Sequence, residues 1–323
     1  MNIPQVSILI PVYNRSQFIA ECIQSALDQS FTNHEIVVVD NASNDGTWEI
    51  CQRLAISDKR IRIFRNDENI GPVRNWVRCA QEARGVYSKI LFSDDLLEPD
   101  CVGRMLQPFD STEVGLVFCA ARIGLTKEKS IITYTVKKDS LIDKKKYLSL
   151  IMNHQAPVSP GAVMLRTKDL TMNLHTNIPT CTPQPFDQHG AGPDIMIMLL
   201  TAKSYSKVVC ISDPLVFFRA HSGSFSILNL NNEVSMGYRA AKSYYLRKNE
   251  SWFLWINFIA CSWLSDVKRI KSWVNPKIFL RTNEGHGSLF EMFVVMALTP
   301  FLILRKLSKS LRMKNFGKLT NKL

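Results

Sequence analysis

Residues Lys89–Pro99 read KILFSDDLLEP, an apolar run (Ile90–Leu91–Phe92) that stops at Ser93–Asp94–Asp95 before Leu96–Leu97 follow. A short apolar run ending in acid predicts a buried strand that delivers carboxylates to its C-terminal edge. In an open α/β sheet that edge is where ligands bind. Two adjacent aspartates repel each other unless hydrogen bonds or a cation compensate, and hard oxygen ligands suit Mg²⁺ or Mn²⁺. A polar strand-to-helix turn, with Glu98 or Asp100 capping a helix near Pro99, accounts for the same letters, so the preceding residues decide between the two.

Those residues alternate. Val6–Pro11 (VSILIP) and Glu35–Asp40 (EIVVVD) are nearly continuous apolar runs, as in strands buried on both faces. Ile61–Arg65 is a shorter one. Between them, Phe18, Ile19, Cys22, Ile23, Ala26 and Leu27 recur at helical spacing, Thr47–Leu54 reads as a helix, and Pro72 opens a third with Val73, Trp76, Val77 and Ala80 on one face. The alternation predicts an α/β fold with a mostly parallel sheet and helices on both faces. The strands ending at Asp40 and Asp94–Asp95 then open onto one edge.

Further along, the pattern predicts a helix over 100–106, a strand at Val114–Ala120, a hairpin around Ser130–Val136, a helix over Lys144–Met152 and a strand at Ala162–Leu165. Residues 171–193 hold four prolines and two glycines and read as an irregular loop, which at that length is usually functional. Asp194 opens an apolar helix, IMIMLLTA. Short strands at Lys207–Ile211 and Leu215–Arg219 precede Ala220–His221, and the chain from Asn232 onward reads as helical.

Composition bounds the class. The chain has 323 residues, 46% apolar and 21% charged, which is globular and not disordered. The formal charge of +12 is uneven: Arg305–Leu323 holds seven Lys/Arg and no acid, leaving +5 for the remainder. Such a tail points to an anionic surface. The eight cysteines form no CxxC, so they read as small buried hydrophobes in a reducing compartment. The N-terminus lacks a basic leader, and a cytoplasmic location is expected.

Taken in order, Pro11–Val12–Tyr13–Asn14, Val39–Asp40, Asn44–Asp45–Gly46–Thr47, Asn69–Ile70–Gly71 with Arg74–Asn75, Ser93–Asp94–Asp95 and Arg219–Ala220–His221 closely resemble the family 2 glycosyltransferases. The resemblance covers roughly residues 4–226. It implies a GT-A, Rossmann-like sheet that binds a nucleotide-diphosphate sugar, and transfer with inversion. It implies that Pro11 and Tyr13 line the base pocket, that Asp40 takes the base or ribose, and that Arg74 meets the base or a phosphate. Asp94 becomes the ribose contact, while Asp95 and His221 become the metal-side residues for Mn²⁺ or Mg²⁺. Ser93 stands where many relatives carry another Asp.

Inverting transfer needs a base for the acceptor hydroxyl. The resemblance puts it on the acid opening the helix after the acceptor loop, here Asp194, with Asp187 and Asp169 as alternatives. Asp is also a favoured helix cap, so both roles stay open. His34, His154, His175, His189 and His286 have no supporting pattern.

The expected organisation is a catalytic domain over 1–228 (nucleotide half 1–120, acceptor half 121–228) and a helical, partly amphipathic region over 229–323. Leu289–Leu304 is 16 mostly apolar residues broken by Glu291 and Pro300, short for a span that needs about 20. With the basic tail it fits peripheral attachment to anionic lipid at the inner face of the cell membrane, or a buried core helix. The leading expectation is sugar transfer, from a UDP-sugar, to a lipid-linked glycan or polysaccharide. Alternatives are a sugar-1-phosphate nucleotidyltransferase, which would want a Gly-rich phosphate loop where PVYNRSQF stands, and a non-catalytic membrane or nucleic-acid binder, which would not need Asp40, Asp95 and Asp194 together. No nucleic-acid partner is expected.

Overall fold

The computed structural model describes residues 3–178, 185–221, 223, 233–270, 291 and 293–298. Strands β1 (Val6–Val12) and β2 (His34–Asp40) are buried at every position, as their unbroken apolar runs require. Helix α1 (Ile19–Leu27) buries Ile19, Cys22, Ile23 and Ala26, one helical face. Helix α2 (Thr47–Ser57), β3 (Ile61–Arg65) and α3 (Pro72–Glu82) follow, with Pro72 in the first turn of α3. The acidic stretch begins as β4 (Tyr87–Ile90), turns at Ser93–Asp94 and resumes as the two-residue β5 (Leu96–Leu97).

After α4 (Cys101–Leu106) come β6 (Val114–Gly124), β7 (Ser130–Thr133), β8 (Ser140–Asp143) and α5 (Lys144–Met152). Then β9 (Val163–Arg166), α6 (Thr167–Asn173), α7 (Pro193–Ser204) and β10 (Lys207–Arg219) complete the sheet region. The sheet order is β3-β2-β1-β4-β9-β6-β10-β5, with β7 on β6 and β8 on β10. Strands β3, β2, β1 and β4 are mutually parallel, as are β6 and β10. Strand β9 runs antiparallel to both β4 and β6, so the two parallel groups point the same way. The sheet is therefore mixed but largely parallel, and the C-terminal ends of β1, β2, β4, β6 and β10 share one edge.

Several expectations are refined. β6 continues to Gly124 because its last four residues pair with β7. The two short strands expected at 207–219 are one strand whose register on β6 shifts around Ser212–Pro214. Helix α6 occupies the start of the stretch read as irregular, and α7 begins at Pro193, placing Asp194 inside its first turn. Six cysteines (22, 51, 79, 101, 119, 210) are free and buried and Cys261 is free and exposed; Cys181 lies outside the described residues.

Backbone contacts divide the chain into two compact units, 1–177 with 184–238, and 178–183 with 239–323. In the second, α8 (Glu233–Asn249, entering it after Tyr238) is followed by α9 (Trp252–Ile270), and the Trp255 indole donates to Ser243 Oγ at 2.8 Å. No helix of the described residues is long and apolar enough to cross a membrane. Most of 289–304, and all of the basic tail, lies outside the described residues.

Candidate active site

The acidic turn is held from three sides. Arg219, at the end of β10, donates its backbone N–H to Asp95 Oδ1 (3.0 Å) and its Nε to the Asp94 carbonyl (3.0 Å), while its Nη2 reaches Glu21 at 2.7 Å. Two residues on, His221 Nε2 lies 2.9 Å from Asp94 Oδ2, and the ring packs on Phe18 with centroids 4.6 Å apart. Arg15, from the turn after β1, brings Nε to 3.4 Å from the same oxygen and donates to the Gly223 carbonyl. The structure thus joins Asp94, Asp95 and His221, and adds Arg15. The sequence marks Arg15 only by its place directly after Tyr13–Asn14; its approach to Asp94 is set by the fold.

Asp95 is buried. Burial, and then the charge of Asp94, push its carboxyl well above the usual carboxylate range. Fully buried Lys89 donates to the Ile90 and Gly161 carbonyls, and burial lowers its pKa. Crowded acid of this kind is what a divalent cation relieves. Among the described residues no three acidic, His or Cys side chains form a ready-made cage. The donor set, an aspartate pair with one imidazole, nevertheless fits Mg²⁺ or Mn²⁺, which commonly take few protein ligands and complete their shell with phosphate oxygens and water.

At the tip of β2, Asp40 is fully buried. Its Oδ2 accepts the Ser43 N–H at 3.1 Å and pairs with Arg65 Nε at 3.3 Å, whereas Oδ1 is buried with no partner. A buried carboxylate oxygen without a donor is costly, and an incoming N–H or O–H would satisfy it. The turn behind it carries Ala42 at φ +62°, a left-handed conformation unusual for alanine. Pro11 is buried near the end of β1, beyond Leu9, the last residue paired with β4, and Tyr13 is 41% exposed.

An amide network ties the 66–75 stretch to this tip. Asn66 Nδ2 donates to Asn41 Oδ1 and Asn75 Oδ1 (both 2.9 Å), Asn75 Nδ2 donates to the Val39 carbonyl, and Asn41 Nδ2 donates to Asn69 Oδ1 at 2.7 Å. That network explains the asparagines of Asn69–Ile70–Gly71 and Arg74–Asn75. Arg74 itself is exposed and bonds Asp187 at 2.7 Å, joining α3 to the loop before α7.

Asp194 stands apart from the acidic turn in chemistry. It is buried, its Oδ1 accepts the N–H groups of Gly192 (2.9 Å) and Ile195 (2.6 Å), and its Oδ2 accepts the Tyr238 hydroxyl at 2.9 Å. Burial pushes its carboxyl up to about 7, against these three donors, which pull it down. A carboxylate poised there suits a general base. Asp169, the other alternative, is buried and accepts the Tyr205 hydroxyl at 2.7 Å. A separate open groove of about 520 Å³, lined by Glu98, Arg122, Lys127, Asp213 and Leu215 among others, shares no residue with these clusters.

Among relatives, the glycosyltransferase GlyG of Streptococcus pneumoniae is 25% identical over 223 residues, 68% of this chain and 72% of its own. Further curated relatives match over 32–44% of this chain and 11–44% of their own length. Among solved structures, S. aureus TarS in complex with UDP superposes with a TM-score of 0.63 at 16% identity, covering 87% of this chain and 81% of TarS. The mannosyltransferase PcManGT of Pyrobaculum calidifontis, in complex with GDP-Man and Mn²⁺, gives 0.55 at 16% identity, covering 94% and 81%. These likenesses show the GT-A fold. The profile described as Glycosyl transferase family 2 matches residues 7–172, from the first strand through the acidic turn and β9, and with that match the chain belongs to glycosyltransferase family 2.

Proposed function

We propose that the protein is an inverting glycosyltransferase that moves a sugar from a UDP-sugar to a lipid-linked glycan or polysaccharide acceptor. The observation that carries this reading is the pairing, along the C-terminal edge of one largely parallel sheet, of a partnerless buried oxygen on Asp40 with the Asp94–Asp95–His221 cluster. The first suits the N–H or O–H of a base or ribose, and the second suits a diphosphate. Pro11 and Tyr13 border the base, and Arg15 and Arg74 supply positive charge toward the phosphates. Mn²⁺ or Mg²⁺, held by Asp95 and His221 beside Asp94, would neutralise charge on the diphosphate oxygens.

Asp194 takes the proton of the acceptor hydroxyl. The acceptor O–H bond breaks as its oxygen attacks the anomeric carbon, and the C–O bond to the diphosphate breaks with its electron pair leaving on the nucleotide. Attack opposite the leaving group inverts the anomeric centre. TarS in complex with UDP-GlcNAc supports a uridine donor by likeness. The relative named as a teichuronic acid biosynthesis glycosyltransferase supports a polysaccharide product.

We place the enzyme in the cytoplasm, peripherally on the inner face of the membrane. Exposed Trp252, Phe253 and Leu254 follow exposed Arg247 and Lys248 closely, a combination suited to an anionic lipid interface, and the sequence adds the basic tail. The direct test is a donor screen read by product mass, offering UDP- and GDP-sugars with a lipid-linked glycan acceptor. Transfer from a UDP-sugar supports the reading. Cleavage of a nucleoside triphosphate with a sugar 1-phosphate would replace it by nucleotidyl transfer.

A further inference from the structure

We propose that Tyr238, on α8 and outside the residues matched by the family profile, is the positioning residue that holds the Asp194 carboxylate in its reactive orientation. The proposal rests on the reading of Asp194 as the base.

An ionised carboxylate offers about four lone-pair positions. Oδ1 of Asp194 takes two amide N–H groups and Oδ2 takes the Tyr238 hydroxyl, which leaves one position, on Oδ2, for an acceptor hydroxyl. The backbone is shaped for this arrangement. Gly192 sits at φ +118°, which aims its N–H back at Oδ1, and few residues other than glycine adopt that conformation. Gly237 lets α8 approach closely, since a Cβ there would collide with the Ala191 carbonyl. With α8 seated against residues 189–192, the next side chain, Tyr238, reaches Oδ2. Without that phenol the amides fix only one oxygen.

The titratable groups around this carboxyl are Tyr238 and Tyr134, with the buried His189 ring packed against Gly237 beside them, and the charge of Asp194 raises both phenols after burial does. Among the described residues no Lys, Arg or His bonds Asp194. A donor to the ionised carboxylate favours its charged form, so removing the Tyr238 hydroxyl must raise the pH at which the base ionises.

The experiment compares wild type, Tyr238→Phe and Asp194→Asn across pH 5–9, reading kcat, donor KM and melting temperature. For Tyr238→Phe the acid limb of kcat should move up by about one pH unit, with roughly tenfold loss below the limb, recovery near pH 9 and unchanged donor KM. The pH at which the fall in melting temperature ends should rise in step, a readout independent of turnover. An unmoved limb and unmoved melting profile, or an equal loss at every pH, would overturn the role of Tyr238. If Asp194→Asn keeps its turnover, the base reading itself fails, which is a separate outcome.

Discussion

His221 and Asp94 are 127 positions apart in sequence and 2.9 Å apart in space, Nε2 against Oδ2. The contact closes the end of β10 over the acidic turn and puts an imidazole beside two carboxylates. If this cluster holds the metal, EDTA abolishes transfer and Mn²⁺ or Mg²⁺ restores it. Asp95→Ala is not rescued at ordinary metal concentrations. His221→Ala raises the metal concentration for half-maximal activity by about 10–100-fold, by analogy with losses of groups that orient metal ligands. A titration of turnover with Mn²⁺ measures this, and full activity in chelator would remove the metal from the site.

Asp40 gives a binding prediction. Its partnerless Oδ1 is an acceptor, and Asp40→Asn puts an amide donor at one of the two oxygen positions while keeping the size. The Ser43 contact survives on the remaining oxygen, with the amide facing the incoming N–H or O–H. A charge-assisted hydrogen bond contributes about 1.5–3 kcal/mol, so nucleoside-diphosphate affinity should fall by roughly 10–150-fold. Calorimetric titration with UDP and with GDP measures it. An unchanged Kd for both would move the nucleotide away from β2.

Much of this was legible locally. Strands β1 and β2 announce themselves by unbroken apolar runs, α1 and α3 by their spacing, and the acid tips by position. The place of β9 was not legible. Its four residues have a strand's composition, but nothing in them specifies insertion antiparallel between β4 and β6, a pairing set by distant partners. The joining of β10 across Ser212–Pro214 depends likewise on β6. In the candidate site, the placement of Asp40, Asp94 and Asp95 at strand ends could be read because an acid closing an apolar run is a local feature. Tyr238 could not, because a lone tyrosine in a helix carries no sign of what it meets 44 positions earlier.

The C-terminal region gives a prediction about attachment. Deleting residues 286–323 removes the basic tail and should release the protein from vesicles containing anionic lipid, with nucleotide binding intact. Replacing Trp252, Phe253 and Leu254 by serine in the full chain should weaken sedimentation further, as those side chains are 45%, 61% and 49% exposed. Sedimentation that survives both changes places the anchor elsewhere. Loss of fold on truncation makes the tail region core.

Asp194 allows its structural and chemical roles to be separated. In Asp194→Asn the side-chain carbonyl keeps the Gly192 and Ile195 amides, and the new amide can donate to the Tyr238 oxygen, so the local bonds survive. Asparagine cannot take a proton, so loss of the base should lower kcat by about 10²–10⁴ while nucleotide-diphosphate affinity stays near normal. Stability adds an independent signature. The folded carboxyl titrates at about 7 against 3.8 for the free group, so the folded state holds a proton that the unfolded chain releases between those values. Stability is therefore lost as pH rises from about 4 to about 7, by up to roughly 4 kcal/mol. The Asn variant lacks this loss and should melt like wild type near pH 4 but higher than wild type at pH 8. Raised melting at pH 8, intact affinity and collapsed turnover together identify a buried base. Near-normal turnover would reduce Asp194 to an organiser of the α7 entry and pass the proton to Asp187, which lies on the same loop against Arg74.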